Sequence, residues 1–103
     1  YPDYIFPCAK AVAADPESRG IILGGSGQGE AMAANRVRGV RAAVYYGSEK
    51  EIVQLSRGHN NANVLSLGAR FISEQVIYEV IETWLDKPFE GGRHQRRIDK
   101  LDI

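Results

Sequence analysis

The chain has 103 residues, 44% of them hydrophobic and 25% charged, which allows one globular domain with a modest core. Thirteen basic and thirteen acidic residues cancel, so no global field points to nucleic acid or to an anionic membrane. The single cysteine, Cys8, excludes an intrachain disulfide framework and fits a reducing, cytoplasmic setting; no apolar run approaches the roughly 18 residues of a membrane helix, and no secretory signal is visible.

Apolar residues at Ile5, Ala9, Val12 and Ala13 predict a short helix over 4–14, with Pro7 tolerated in its first turn and Asp15-Pro16-Glu17 ending it. The run Ile21-Ile22-Leu23 reads as a buried parallel strand over 20–24, followed by a helix over 29–36 and a turn at Arg38-Gly39. A second strand covers 41–46. Ser48 with Glu51 three residues later has the form of a capping box, opening a helix to about Arg57. A third strand over 63–67 is closed by Gly68. Ser73 caps a longer helix with Val76, Ile77, Val80, Ile81, Trp84 and Leu85 on one face, stopped by Lys87-Pro88. The charged tail from Glu90 to Lys100 predicts a last helix with only Ile98 and Leu101 as apolar anchors, too few to bury much on its own subunit. Strands alternating with helices predict an α/β fold with a parallel sheet. Three strands make that sheet thin, and one or two more before Tyr1 would complete it.

The stretch Gly24-Gly25-Ser26-Gly27-Gln28-Gly29-Glu30 carries the most chemistry. A strand, a glycine loop and a helix in that order aim backbone N–H groups at an anion or oxyanion. Glu30, where the loop meets the helix, is placed to move a proton on a ligand held there. Its plainer reading is a helix N-terminal carboxylate facing the macrodipole. The spacing of Gly25 and Gly27 touches the dinucleotide fingerprint only superficially, because Glu49 and Glu51 fall in the next helix rather than at a strand end. The Gly-Lys-Ser/Thr of a Walker loop is absent. A glycine-rich turn of an ordinary α/β domain stands as the alternative.

His59-Asn60-Asn61-Ala62-Asn63 reads first as a polar loop, and second as a donor and acceptor set able to contact hydroxyls and shuttle a proton near neutral pH. Arg93 and Arg97, at i and i+4 after Gly91-Gly92, share a helix face; it is either solvated or suited to a phosphate or carboxylate, and Arg70 could join an anion site or pair with a carboxylate. His59 and His94 lack a companion set for zinc in the sequence, so no metal site is expected. Cys8 is expected as a packed side chain rather than a nucleophile.

Together, G-G-S-G-x-G-E-x-x-A-A-N-R, then R-G-H-N-N-A-N-V-L-S-L-G-A-R, then F-E-G-G-R-H-Q-R-R-I-D resemble the type B ribose-5-phosphate isomerases and the related galactose-6-phosphate isomerase subunits over nearly the whole chain. The resemblance implies a Rossmann-like three-layer sandwich and a homodimer or homotetramer with a site shared between subunits. It implies aldose–ketose isomerisation of a small phosphorylated sugar through an enediolate, with no metal or organic cofactor. One branch of the family uses a cysteine base at the position of Gly24. The other uses a glutamate matching Glu30. Ser26 and the amides of Gly25, Gly27, Gln28 and Gly29 match the loop that cradles the sugar oxygens. His59 matches the ring-opening residue and Asn60 its hydrogen-bonding neighbour. Arg70, Arg93 and Arg97 match phosphate-binding arginines, some of them reaching across the dimer.

The family's first strand ends in an Asp-His pair that does not occur in these residues. The sequence therefore reads as one isomerase domain over 1–103 that lacks its N-terminal strand and helix. The rival expectation is a non-catalytic sugar-phosphate-binding or structural subunit of a heteromeric isomerase.

Overall fold

The computed structural model describes residues 1–102. Three parallel strands, β1 (Gly20–Gly24), β2 (Ala42–Tyr45) and β3 (Val64–Gly68), lie in the order β1-β3-β2. Gly20 pairs with Val64 and Gly24 with Gly68 along one side of β3; Ala42 pairs with Val64 and Tyr45 with Leu67 along the other. The helices are α1 (Pro2–Ala14), α2 (Gln28–Asn35), α3 (Glu51–Gly58), α4 (Glu74–Asp86) and α5 (Arg93–Ile98).

Alternation along the strands divides the interior into two cores. Ile22 and Val64 face α1 and α2, packing with Ile5, Ala9, Val12, Ala33 and Ala34. Ile21, Leu65, Leu67, Ala43 and Tyr45 face α3 and α4, packing with Val53, Val80 and Trp84. The connection through α2 thus crosses one face of the sheet and the return through α3 crosses the other. Every residue of β3 is buried, as the central strand of a three-layer sandwich requires.

Three local expectations need correction. Helix α1 starts at Pro2, so Pro7 lies inside it rather than in its first turn. Pro7 is exposed, which leaves the carbonyl it fails to bond facing water. Second, Ser48 does not cap α3. It sits at φ 71 after Gly47 at φ 126, and its carbonyl accepts a bond from the Tyr45 hydroxyl at 3.1 Å. The helix opens only at Glu51, behind Lys50, with no side-chain cap. Third, the tail docks on its own chain. The Glu90 N–H bonds the Gly58 carbonyl at 3.0 Å, His94 is buried, and the Asp102 carboxylate accepts from the Gly39 N–H at 3.1 Å. Ser73 caps α4 as expected, accepting from the Val76 N–H at 3.3 Å. Among the described residues no helix is long and apolar enough to cross a membrane.

Candidate active site

The glycine loop leaves the C-terminal end of β1 and enters α2 at Gly27, which holds φ 79. That left-handed conformation suits glycine, and a Cβ there would also press within 3.1 Å of the Gly68 backbone nitrogen. The loop is tied to the end of β3. The Ala69 N–H bonds the Gly24 carbonyl at 2.8 Å, the Arg70 N–H bonds the Gly25 carbonyl at 3.1 Å, and the buried Ser66 hydroxyl donates to the Gly27 carbonyl at 2.7 Å. Gln28 N–H reaches Ser26 Oγ at 3.3 Å, and Ala31 N–H reaches the Gly27 carbonyl at 3.1 Å. The amides of Gly25, Ser26, Gly27 and Gly29 have no acceptor among the described residues. They form a short row of donors at the carboxyl end of a parallel sheet, where α/β folds place ligands.

Glu30, in the first turn of α2, turns its carboxylate back over Gly24, onto the place a side chain at that position would fill. The Arg70 guanidinium lies against Gly25, with Nη2 at 3.2 Å from where a Cβ would stand. Glu30, the loop and Arg70 thus form one group. Tyr1 joins them, its hydroxyl over Gly29 at 2.8 Å from a Cβ position there. No pattern in the sequence marks Tyr1 for this place.

His59, Asn60, Arg93 and Arg97 lie elsewhere. Helix α3 runs back against the strands, so its C-terminal end carries His59 and Asn60 to the start of β3. There the Asn63 carbonyl bonds the Gly20 N–H at 2.8 Å and Asn63 Oδ1 bonds the Arg41 N–H at 2.7 Å, which marks the N-terminal ends of all three strands. A strand of five residues at about 3.3 Å each separates the two ends by roughly 15 Å. Within one chain the predicted residues therefore form two groups at opposite ends of the sheet.

In the second group the His59 and His94 rings stack, with centroids 4.3 Å apart and planes 12° from parallel. Glu90 faces both, 3.7 Å from His59 Nε2 and 3.9 Å from His94 Nε2. The sequence showed no third ligand beside the two histidines; Glu90 supplies one, all three ligand atoms falling within 4.8 Å of one another. The ring planes nevertheless run side by side, so one ion does not lie in both, as coordination through each ring lone pair requires. The helix also brings Arg93 and Arg97, both exposed, and Lys87 Nζ stands 4.0 Å from Glu90. The group is richer in positive charge than in negative, which favours an anion over a cation. His94 is held below its ordinary value of 6.5, first by burial and then by electrostatic repulsion from His59 and Arg93.

A parallel α/β domain with a glycine loop at the carboxyl end of its sheet, and a carboxylate folded over the first glycine of that loop, has the arrangement of an α/β ligand-binding domain. The profile of the Ribose/Galactose Isomerase family matches residues 1–101, and the chain belongs to that family. It is 41% identical over 101 residues to the ribose-5-phosphate isomerase B of Escherichia coli K12, covering 98% of this chain and 66% of that protein. It is 41% identical over 101 residues to a probable ribose-5-phosphate isomerase B of Mycoplasma pneumoniae, covering 98% of this chain and 65% of that protein. Among solved structures, the ribose-5-phosphate isomerase B of Mycoplasma genitalium with bound ribulose-5-phosphate superposes with a TM-score of 0.92 at 43% identity, covering 98% of this chain and 66% of that one. That of Thermotoga maritima gives 0.91 at 42%, covering 99% and 69%. The chain thus spans a little under two thirds of the length of these two curated relatives.

Proposed function

We propose that this chain carries the catalytic residues of an aldose–ketose isomerase acting on a phosphorylated sugar, most directly ribose 5-phosphate and ribulose 5-phosphate. The observation that carries the proposal is the Glu30 carboxylate seated over Gly24, beside loop amides with no acceptor among the described residues. Glu30 takes the proton from C2 of the open-chain aldose and returns it to C1. The loop amides stabilise the negative charge that develops on the neighbouring oxygens of the enediolate. His59 and Asn60 open the sugar ring, and Arg70, Arg93 and Arg97 hold the phosphate, which fixes the sugar over the base.

The two groups act on one sugar only if a second subunit brings its His59 end to this subunit's glycine loop. The proposed assembly is therefore a homodimer, or a tetramer built from such dimers, working in the cytoplasm. Kinetics of Glu30→Gln test the assignment. Turnover should fall by at least about 10²-fold, while binding of ribose 5-phosphate changes much less. Cys8→Ser should leave turnover nearly unchanged. Full activity in Glu30→Gln would remove Glu30 from the mechanism.

A further inference from the structure

A cavity of about 320 Å³ opens between the C-terminal end of α1 and the starts of the strands. It touches none of the residues assigned above to the isomerase. Arg19, Arg41 and Arg57 line it, with Asn61 and Asn63 between them and Glu17 as the only carboxylate among the described lining residues. Arg57 is 4% exposed. Its Nε donates to the Lys87 carbonyl at 3.3 Å, and its Nη1 to Asn61 Oδ1 at 2.9 Å and the Ala62 carbonyl at 2.7 Å. Arg41 donates to the Asn61 carbonyl at 2.8 Å and the Gly39 carbonyl at 3.3 Å. Arg19 donates to the carbonyls of Trp84 at 3.3 Å and Leu85 at 3.0 Å.

All of these acceptors are neutral. They satisfy part of each guanidinium and cancel none of its charge. Among the described residues no carboxylate lies in ion-pair contact with any of the three. The Nη2 group of each donates to no described residue. Two weaker attractions are present. The Trp84 ring lies 5.7 Å from the Arg19 guanidinium and 6.0 Å from that of Arg57, and Asp102 attracts Arg41 from beyond contact. They leave Arg57 pushed down to about 10, by burial first and then by the charges of Arg19 and Arg41.

We propose that this cavity binds a small dianion of the phosphate class between the free edges of Arg19, Arg41 and Arg57. Guanidinium forks match a tetrahedral oxyanion, and a dianion offsets the charge that the carbonyls leave uncancelled. The shared hold of Arg41 and Arg57 on Asn61 sets these two forks before the ligand arrives. Arg19 is exposed and closes the site from the rim.

The test follows the arginine Nε–Hε resonances of the full chain while inorganic phosphate is added, with methyl phosphate as the esterified form and chloride at matched ionic strength. Saturable shifts of Arg41 and Arg57 with either phosphate, and none with chloride, support the site. Arg19→Gln, a change at an exposed position, should weaken binding roughly tenfold, as loss of one charge-assisted contact would. Arg97→Ala should leave it unchanged. The proposal is overturned if phosphate gives no saturable shift, if chloride reproduces it, if Arg19→Gln binds as well as the parent, or if Arg97→Ala abolishes the effect.

Discussion

The carboxylate of Glu30 and a side chain at position 24 compete for one volume. If Glu30 is the base, as proposed, this competition gives a steric reason why the strand-end cysteine and the helix-start glutamate implied by the family resemblance would be alternatives. With glycine at 24, Glu30 folds back over the strand end. With a larger residue there, it has to swing away.

Gly24→Ala is therefore expected to lower turnover of ribose 5-phosphate by about tenfold or more, through displacement of the base. In a Glu30→Gln background the same substitution should cost much less, because the displaced group no longer transfers the proton. Steady-state kinetics of the two single variants and the double variant give the coupling. Additive losses would show that position 24 acts on something other than Glu30.

Gly27→Ala should destabilise the fold rather than the chemistry alone. The substitution forces a Cβ onto φ 79 and against the β3 backbone. A loss of about 1–2 kcal/mol is expected from the left-handed conformation, measured by denaturant unfolding. An unchanged midpoint would mean that the loop relaxes freely.

Packing of α5 should weaken in mild acid. His94 has a folded value below 6.5, so the unfolded chain binds the extra proton more readily. Stability is then full above the unfolded value and falls as pH drops through it toward the folded one. Glu90 opposes the effect, while His59, Arg93 and Arg97 add to it. Thermal unfolding between about pH 7.5 and 5 should show this slope, and His94→Gln should reduce it. An identical slope in that variant would assign it to other groups.

The three strands and the long α4 were legible because apolar runs and a clear N-cap, Ser73, agree with tertiary packing. Ser48 misled because the local pattern of a capping box says nothing about the left-handed turn that Gly47 begins. The loop and Glu30 were legible together because they are consecutive in sequence; Arg70, read with Arg93 and Arg97, instead lies by the loop because neighbouring strand ends bring their following loops together. Glu90 was not, because only the docking of the tail on Gly58 carries it to the histidines. The cluster of Arg19, Arg41 and Arg57 was equally hidden. Its members are far apart in sequence and meet only where the strands begin.

The separation of Glu30 from Arg97 within one chain leads to the strongest test of assembly. If the two residues serve one sugar, they do so from different subunits. Glu30→Gln and Arg97→Ala homodimers should each be impaired. A heterodimer would carry one site with both defects and one with neither. Mixing the two variants under conditions of subunit exchange should then restore activity, up to about one quarter of the parent value per total subunit if exchange is random and only the intact site works. Exchange itself is checked independently by mass spectrometry of the dimers. Exchange without recovery would place Glu30 and Arg97 of the same chain in one site, and would require α5 to leave its contact with His59 and cross to the other end of its own sheet.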